Sequence, residues 1–201
     1  MSLLVATGNK GKLAEFRSLL AGVSVCSPGE IGLGNLQVEE TGSTFYENAL
    51  LKAQAYARVS GVICIADDSG LEVDALNGRP GVQSARYGGA GLDDSGRYRH
   101  LLAELQELPP DARTASFRCC LVAAASDGRV ATAEGSCEGR ILSRPAGAGG
   151  FGYDPVFLVP AYGRSMAALS RAEKTAISHR GCAFRALVPI LTEIFPALLS
   201  S

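Results

Sequence analysis

Four lysines stand among fifteen arginines in this chain, and all four fall in three short segments rich in other reactive side chains. Lys10 and Lys12 lie in Thr7-Gly8-Asn9-Lys10-Gly11-Lys12, and Lys52 closes Glu47-Asn48-Ala49-Leu50-Leu51-Lys52. Lys174 lies in Glu173-Lys174-Thr175-Ala176-Ile177-Ser178-His179-Arg180. Using arginine almost everywhere else and lysine here points to sites that need a compact ammonium in place of a planar fork. Polyphosphate binding is such a task, because lysine acts there as a point charge on a flexible stem.

Three constellations carry this chemistry further. Residues 7–12 join an apolar run to a helical pattern, so helix-start N–H groups and two ammonium groups together make an anion site suited to phosphates. The Walker A spacing is absent, and a capped helix with solvated lysines is the plainer alternative. The second constellation is acidic: Asp67 and Asp68 close an apolar run, Glu72 and Asp74 follow, and Glu39 and Glu40 precede a Thr41-Gly42 turn. Carboxylates beside a phosphate loop suit Mg²⁺, which binds through one or two carboxylates plus substrate phosphate oxygens. Successive aspartates on a strand point apart, so one of Asp67 and Asp68 would face a metal and the other would hold a loop or water. Acids that merely satisfy turns and caps are the competing reading. The third constellation is Gly149-Gly150-Phe151-Gly152-Tyr153-Asp154-Pro155 with Lys174 and Ser178-His179-Arg180. An aromatic in a glycine-rich loop offers a stacking face for a flat ring, and the glycines permit close backbone approach. Asp154 can accept from a base or ribose, while His179 and Arg180 can donate to a ring carbonyl.

The elements that must position these groups alternate. A buried strand is expected at residues 3–6, then a helix carrying Leu13, Phe16, Leu19 and Leu20 at helical spacing to Gly22. A short strand follows at 23–26. Thr44 and Glu47 form a capping-box pattern that starts a helix running to about residue 59. A buried strand at 62–66 is expected to end in Asp67-Asp68-Ser69-Gly70, with 71–76 extended again after that turn. A helix at about 93–107 precedes two longer strands, 114–126 and 129–141, joined at Asp127-Gly128 as a hairpin. A strand at 156–159 and a last helix from Thr175 or Ser178 to Leu199 complete the chain, with Pro189 and Pro196 expected to kink or break that helix. Early alternation and a late hairpin imply one α/β domain, residues 1–201, built on a mixed sheet.

Bulk properties narrow the classes. With 201 residues and 47% apolar content, the chain is long enough for a substantial core. A net charge of −1 gives no footprint for nucleic acid. No apolar run reaches a membrane span, and residues 1–6 lack the pattern of a signal peptide. The six cysteines form no C-x-x-C pair, which favours a reduced, cytoplasmic chain over a zinc site or disulfide framework.

Taken together, ATGNKGK (6–12), EETGSTFYENALLKA (39–53), ADDSGLEVDALNGRPGVQSARYGG (66–89), GGFGYDPVF (149–157) and EKTAISHRG (173–181) resemble the inosine triphosphate pyrophosphatase family in its bacterial dITP/XTP pyrophosphatase form. The resemblance implies a long, twisted mixed sheet flanked by helices, two lobes with a central nucleotide cleft, and a homodimer. It implies Mg²⁺-dependent cleavage of ITP, dITP and XTP to a nucleoside monophosphate and pyrophosphate, removing deaminated purines from the nucleotide pool. Carried onto this sequence, Thr7, Gly8, Asn9, Lys10, Gly11, Lys12 and Lys52 would serve the phosphates. Glu40 and Asp68 would bind Mg²⁺, Asp68 would also take the proton of the attacking water, and Ser69 would touch substrate. Phe151, Gly152, Tyr153 and Asp154 would contact base and sugar, and Lys174, His179 and Arg180 would complete the nucleotide site. Ala168 stands where the family typically carries glutamate, which puts a local salt bridge in question. A nucleotide-binding module without turnover and a pyrophosphatase for modified pyrimidine triphosphates are the competing readings.

Overall fold

The computed structural model describes residues 2–198. Its strands are β1 (Leu3–Val5), β2 (Val25–Cys26), β3 (Cys64–Val73), β4 (Thr114–Ala124), β5 (Val130–Ile141), β6 (Phe157–Val159) and β7 (Arg164–Ser165). They form one sheet in the order β2-β1-β3-β4-β5-β6-β7. Strand β1 runs parallel to β2 and β3, with Leu3 opposite Val25 and Leu4 opposite Cys64. Strand β6 runs antiparallel to β5 and β7, so the sheet is mixed, as expected. The α-helices are α1 (Lys10–Leu19), α2 (Phe45–Ser60), α3 (Asp94–Glu104), α4 (Arg171–Ile177) and α5 (His179–Ile194).

The chain divides into two compact units. The first holds the described residues up to Asp68, Cys119–Gly135, and those from His179 onward. The second holds Ser69–Arg118 and Ser136–Ser178.

In the first unit, strand alternation sorts side chains onto two faces. Leu3, Val5, Ile65, Cys119, Leu121 and Ala123 pack with Phe16 of α1 and with Ala183, Phe184, Leu187 and Leu191 of α5. Leu4, Ala6, Cys64, Ala66, Cys120, Val122 and Ala124 pack with Ala49, Ala53 and Ala57 of α2. Adjacent Cys119 and Cys120 therefore belong to opposite faces, and none of the six cysteines lies in a disulfide. The second unit has its own core, in which Leu71, Val73, Leu101, Leu105, Phe117, Val156 and Phe157 meet.

Two features differ from the pattern expected along the chain. Strand β3 does not end before Asp67; it continues through Asp67-Asp68-Ser69-Gly70 to Val73. Aspartate and glycine disfavour strands locally, but partners distant in sequence neutralise both acids here, and tertiary context outweighs propensity. The final helical region is two helices. Ser170 and Glu173 form a complete capping box that starts α4, and Ser178, extended at ψ 150°, separates it from α5. Pro189 sits inside α5 without ending it. Pro196 opens a short 3-10 turn, and the expected end at Leu199 lies outside the described residues.

Gly135 on β5 sets where α5 begins. A Cβ built there would collide with the backbone carbonyl of His179 and the backbone nitrogen of Ala183, which no rotamer change can relieve. Gly135→Ala is expected to cost about 1–3 kcal/mol, the range for overpacking, measured by urea denaturation. A loss below a few tenths of a kcal/mol would show that the helix start shifts freely.

Candidate active site

In the first unit, the loop before α1 is shaped by its own side chains. Thr7 Oγ1 accepts from the backbone N–H of Asn9 at 3.1 Å, and Asn9 caps the helix by accepting from the N–H of Lys12 at 3.0 Å. Gly8, Asn9 and Lys10 are exposed, so the helix start and one ammonium face solvent. Lys12 is turned inward and pairs with Asp67.

Asp67 is the centre of a buried ion network. Arg180 Nε donates to Oδ2 at 2.8 Å, Lys12 binds Oδ1, and Cys119 Sγ donates to Oδ2 at 3.1 Å. Arg180 in turn pairs with Glu15 of α1, and its side chain is 1% exposed. Burial alone would raise the Asp67 carboxyl, but Arg180 and then Lys12 outweigh it and hold the group well below the usual carboxylate range. The same burial, reinforced by Asp67, pushes the Cys119 thiol well up. It is therefore a weak donor to Asp67 with no nucleophilic character. The Arg180 guanidinium, expected from sequence to donate to a ring carbonyl, is here committed to two carboxylates of its own unit. Asp67 anchors Lys12.

Asp68 points to the other face of β3, toward α2. Asn48 Nδ2 donates to its Oδ2 at 3.1 Å, and Lys52 Nζ lies 3.7 Å from its Oδ1. Lys52 also contacts Glu40 Oε1 at 2.9 Å and donates to the carbonyl of Asp67 at 2.8 Å. One ammonium thus lies within ion-pair distance of both Glu40 and Asp68. Burial raises the Asp68 carboxyl above its ordinary value, against the pull of Lys52 and Lys12. Among the described residues no group of three or more His, Cys, Asp or Glu is arranged to hold a metal ion. Two carboxylates fit Mg²⁺ whose remaining positions are filled by water and phosphate oxygens, and do not make an all-protein cage.

Asn48 is the residue that reasoning from sequence passed over. It is fully buried, and its Oδ1 accepts from the N–H of Gly42 at 2.8 Å. A backbone N–H can only donate, so the amide orientation is fixed and Nδ2 must face Asp68. Asn48 therefore ties the segment after Glu40 to Asp68. The available signal was helical spacing: Asn48 and Lys52 sit four apart and share a face of α2. Asn48→Leu would leave a backbone donor and a carboxylate without this partner. It is expected to cost about 1–3 kcal/mol of stability and to lower kcat. Denaturation and steady-state kinetics on one preparation check both, and unchanged kcat would reduce Asn48 to a fold contact.

In the second unit, the glycine-rich loop is clamped by carboxylates. Asp154 Oδ2 accepts from the N–H of Phe151 at 2.9 Å and from Lys174 Nζ at 2.6 Å. Lys174 Nζ lies 4.7 Å from the Phe151 ring centroid. A Cβ on Gly150, whose φ is +74°, would strike the Asp154 carboxyl, so this close approach requires glycine. Tyr153 is buried, with its hydroxyl donating to the carbonyl of Ser84 at 3.0 Å. Its bulk thus supports the loop and is not free to contact a sugar. At Ala168 the backbone carbonyl accepts from Arg164 at 3.4 Å, and Arg164 finds its carboxylate in Glu173 at 2.6 Å. The ion pair that a glutamate at 168 could supply is met by another residue.

The structure thus brings Lys12, Lys52, Glu40, Asp68 and Arg180 into one cluster, and Phe151, Asp154 and Lys174 into another. His179, buried at the start of α5, belongs to the first unit, and Ser69, half-buried on β3, opens the second.

Comparison with known proteins places the chain in a family. The Ham1 family model matches residues 3–190. A dITP/XTP pyrophosphatase of Desulforamulus reducens is 50% identical over 197 residues, covering 97% of this chain and 98% of the relative. The dITP/XTP pyrophosphatase of Escherichia coli K12 is 47% identical over 191 residues, 94% of this chain and 97% of the relative. Among solved structures, the Staphylococcus aureus Ham1 protein superposes with a TM-score of 0.85 at 39% identity, covering 96% of this chain and 99% of its own. With a family match along nearly its whole length and relatives near half identity, this chain belongs to the Ham1 family.

Proposed function

We propose that the protein hydrolyses dITP, XTP and ITP to the nucleoside monophosphate and pyrophosphate, and so removes deaminated purines from the nucleotide pool. The observation that carries this is that Lys52 lies within ion-pair distance of both Glu40 and Asp68 and also bonds the carbonyl of Asp67, the acid that holds Lys12, so two acids and the lysines stand in one cluster. Pure polyphosphate binding needs the lysines and has no use for the two acids. The names of the relatives, dITP/XTP pyrophosphatases, support the substrate class.

Glu40 and Asp68 would hold Mg²⁺, which when bound neutralises charge on the triphosphate. The chain's own groups do the rest. Lys10, Lys12 and the N–H groups at the start of α1 bind phosphate oxygens, and Lys52 adds a further ammonium beside Asp68. Asp68 accepts a proton from the attacking water. Phe151 offers its ring to the purine, and Lys174 and Asp154 keep that ring and its loop in place. His179 supplies a donor for a 6-oxo group, which adenine lacks; a site built on such a bond rejects the wrong base because a buried group is left unsatisfied. Arg180 acts through Asp67 on Lys12. A homodimer in the cytoplasm completes the proposal, and six cysteines outside any disulfide fit a reducing compartment.

Product analysis with dITP, XTP, ITP, GTP and ATP, each with Mg²⁺ and with EDTA, tests the reading. Metal-dependent pyrophosphate release, much faster from the first three, is expected. Orthophosphate release would overturn it, and binding without turnover would favour a nucleotide sensor.

A further inference from the structure

The geometry points to Asp94 as a positioning residue for the purine end of the substrate, acting through the backbone of the glycine-rich loop. This inference rests on the proposed function and adds a determinant of base binding to it.

Asp94 is the first residue of α3, and the capping task there belongs to its neighbour. Asp93 Oδ1 accepts from the N–H of Gly96 at 2.7 Å and from Ser95 Oγ at 2.9 Å. Asp94 Oδ2 instead accepts from the N–H of Gly152 at 2.7 Å, across 58 residues of chain. The preceding N–H, that of Phe151, is held by Asp154. Two successive amides of the loop are thus each fixed by a carboxylate, one supplied by the loop itself and one by α3. Their combined effect is to set the direction in which Phe151 leaves the backbone.

The bond to Asp94 matters because little else holds position 152. Gly152 has no side chain, its φ is +60°, and a Cβ built there would meet no atom within 4 Å. Packing therefore contributes little at this point, and a charge-assisted hydrogen bond is the restraint. Phe151 lies one peptide away and carries the ring on which Lys174 rests. Loosening Gly152 lets the stacking face wander while leaving the phosphate cluster, built on other elements, unchanged.

The test compares Asp94→Ala with Asp94→Asn, whose amide oxygen still accepts from Gly152. Binding of inosine monophosphate reports on the purine end, and inhibition by pyrophosphate reports on the phosphate end. In Asp94→Ala the Kd for inosine monophosphate and the KM for dITP are expected to rise about 5- to 20-fold, in line with loss of one exposed charge-assisted bond. The expected change in kcat and in pyrophosphate inhibition is below about twofold by the same measure. Asp94→Asn should restore most of the binding. Unchanged inosine monophosphate binding in Asp94→Ala overturns the inference, and so does an equal loss of pyrophosphate binding, which would make Asp94 a general prop of the fold. Should Asp94→Ala fail to fold, Asp94→Ser, with a hydroxyl acceptor too short to reach, carries the same comparison. Wild-type protein that neither turns over dITP nor binds inosine monophosphate would refute the underlying function, an outcome distinct from a silent Asp94 variant in an active enzyme.

Discussion

Asp68→Asn is expected to lower kcat for dITP by about a thousandfold, the middle of the range for losing a general base. Stability should survive the change. Asn48 Nδ2 donates to Asp68 Oδ2, and an asparagine oxygen at 68 accepts the same bond. The buried carboxyl of Asp68 is held above its ordinary value, which means that ionising it in the folded protein carries a cost. For a group raised in this way the folded state binds the extra proton, so stability falls as pH climbs from the ordinary aspartate value of about 3.9 through the raised one. Asparagine removes that dependence, and the melting temperature of Asp68→Asn at neutral pH should equal or exceed that of wild type. Rate measurements and a thermal melt decide the matter. Near-wild-type turnover would exclude Asp68 from proton transfer, and a large drop in melting temperature would make it a structural acid.

Arg180→Met should act in the opposite sense, through stability first. The guanidinium is buried between Asp67 and Glu15, and its removal leaves Asp67 with Lys12 and Cys119. Breaking a buried pair typically costs 3–5 kcal/mol, and the partners that remain place the expectation at about 3 kcal/mol. For a chain of this size that corresponds to a fall in melting temperature of roughly 6–12 °C. The variant should also lose part of its acid sensitivity. Asp67 is depressed in the folded state, so its stabilisation is complete above the ordinary aspartate value of about 3.9 and is lost progressively as pH falls from there toward the folded value. Without Arg180 that depression shrinks, and the melting temperature should depend less steeply on pH below about 4. A drop of less than 2 °C, or an unchanged acid slope, would remove Arg180 from the network that orders Lys12.

Much of this was legible along the chain because the signals were local. Thr44 and Glu47 marked the start of α2, and its box is complete in the structure. Asp127-Gly128 marked the join between β4 and β5, where Gly128 adopts φ +93°. That Asp67 and Asp68 point apart followed from alternation, but which of them serves which layer did not. Other features were hidden because their causes lie far apart in sequence. Strand β3 runs through four turn-forming residues because Arg180, 113 positions away, and Lys12, 55 positions away, satisfy Asp67. Nothing in the local composition reports that. Asn48 looked like one residue of a motif until its two amide bonds were seen, and the commitment of Arg180 to Glu15 joins residues 165 positions apart. Helix α4 is a different case: Ser170 and Glu173 carry the spacing that marked α2, but seven residues give too short a stretch for periodicity to support it.

The alternation of β3 has a consequence for which changes of length this protein can absorb. Asp67 serves the layer of α1 and α5, and Asp68 serves the layer of α2, because one is odd and the other even along the same strand. Inserting or deleting one residue between Cys64 and Asp67 would exchange them, turning Asp68 toward the layer of Arg180 and Asp67 toward that of Lys52. A two-residue insertion would restore the parity yet slide both acids nearly 7 Å along the strand, beyond the reach of either partner. A change of length in this part of the strand therefore displaces both acids, and drift in the length of this family should gather in the loops.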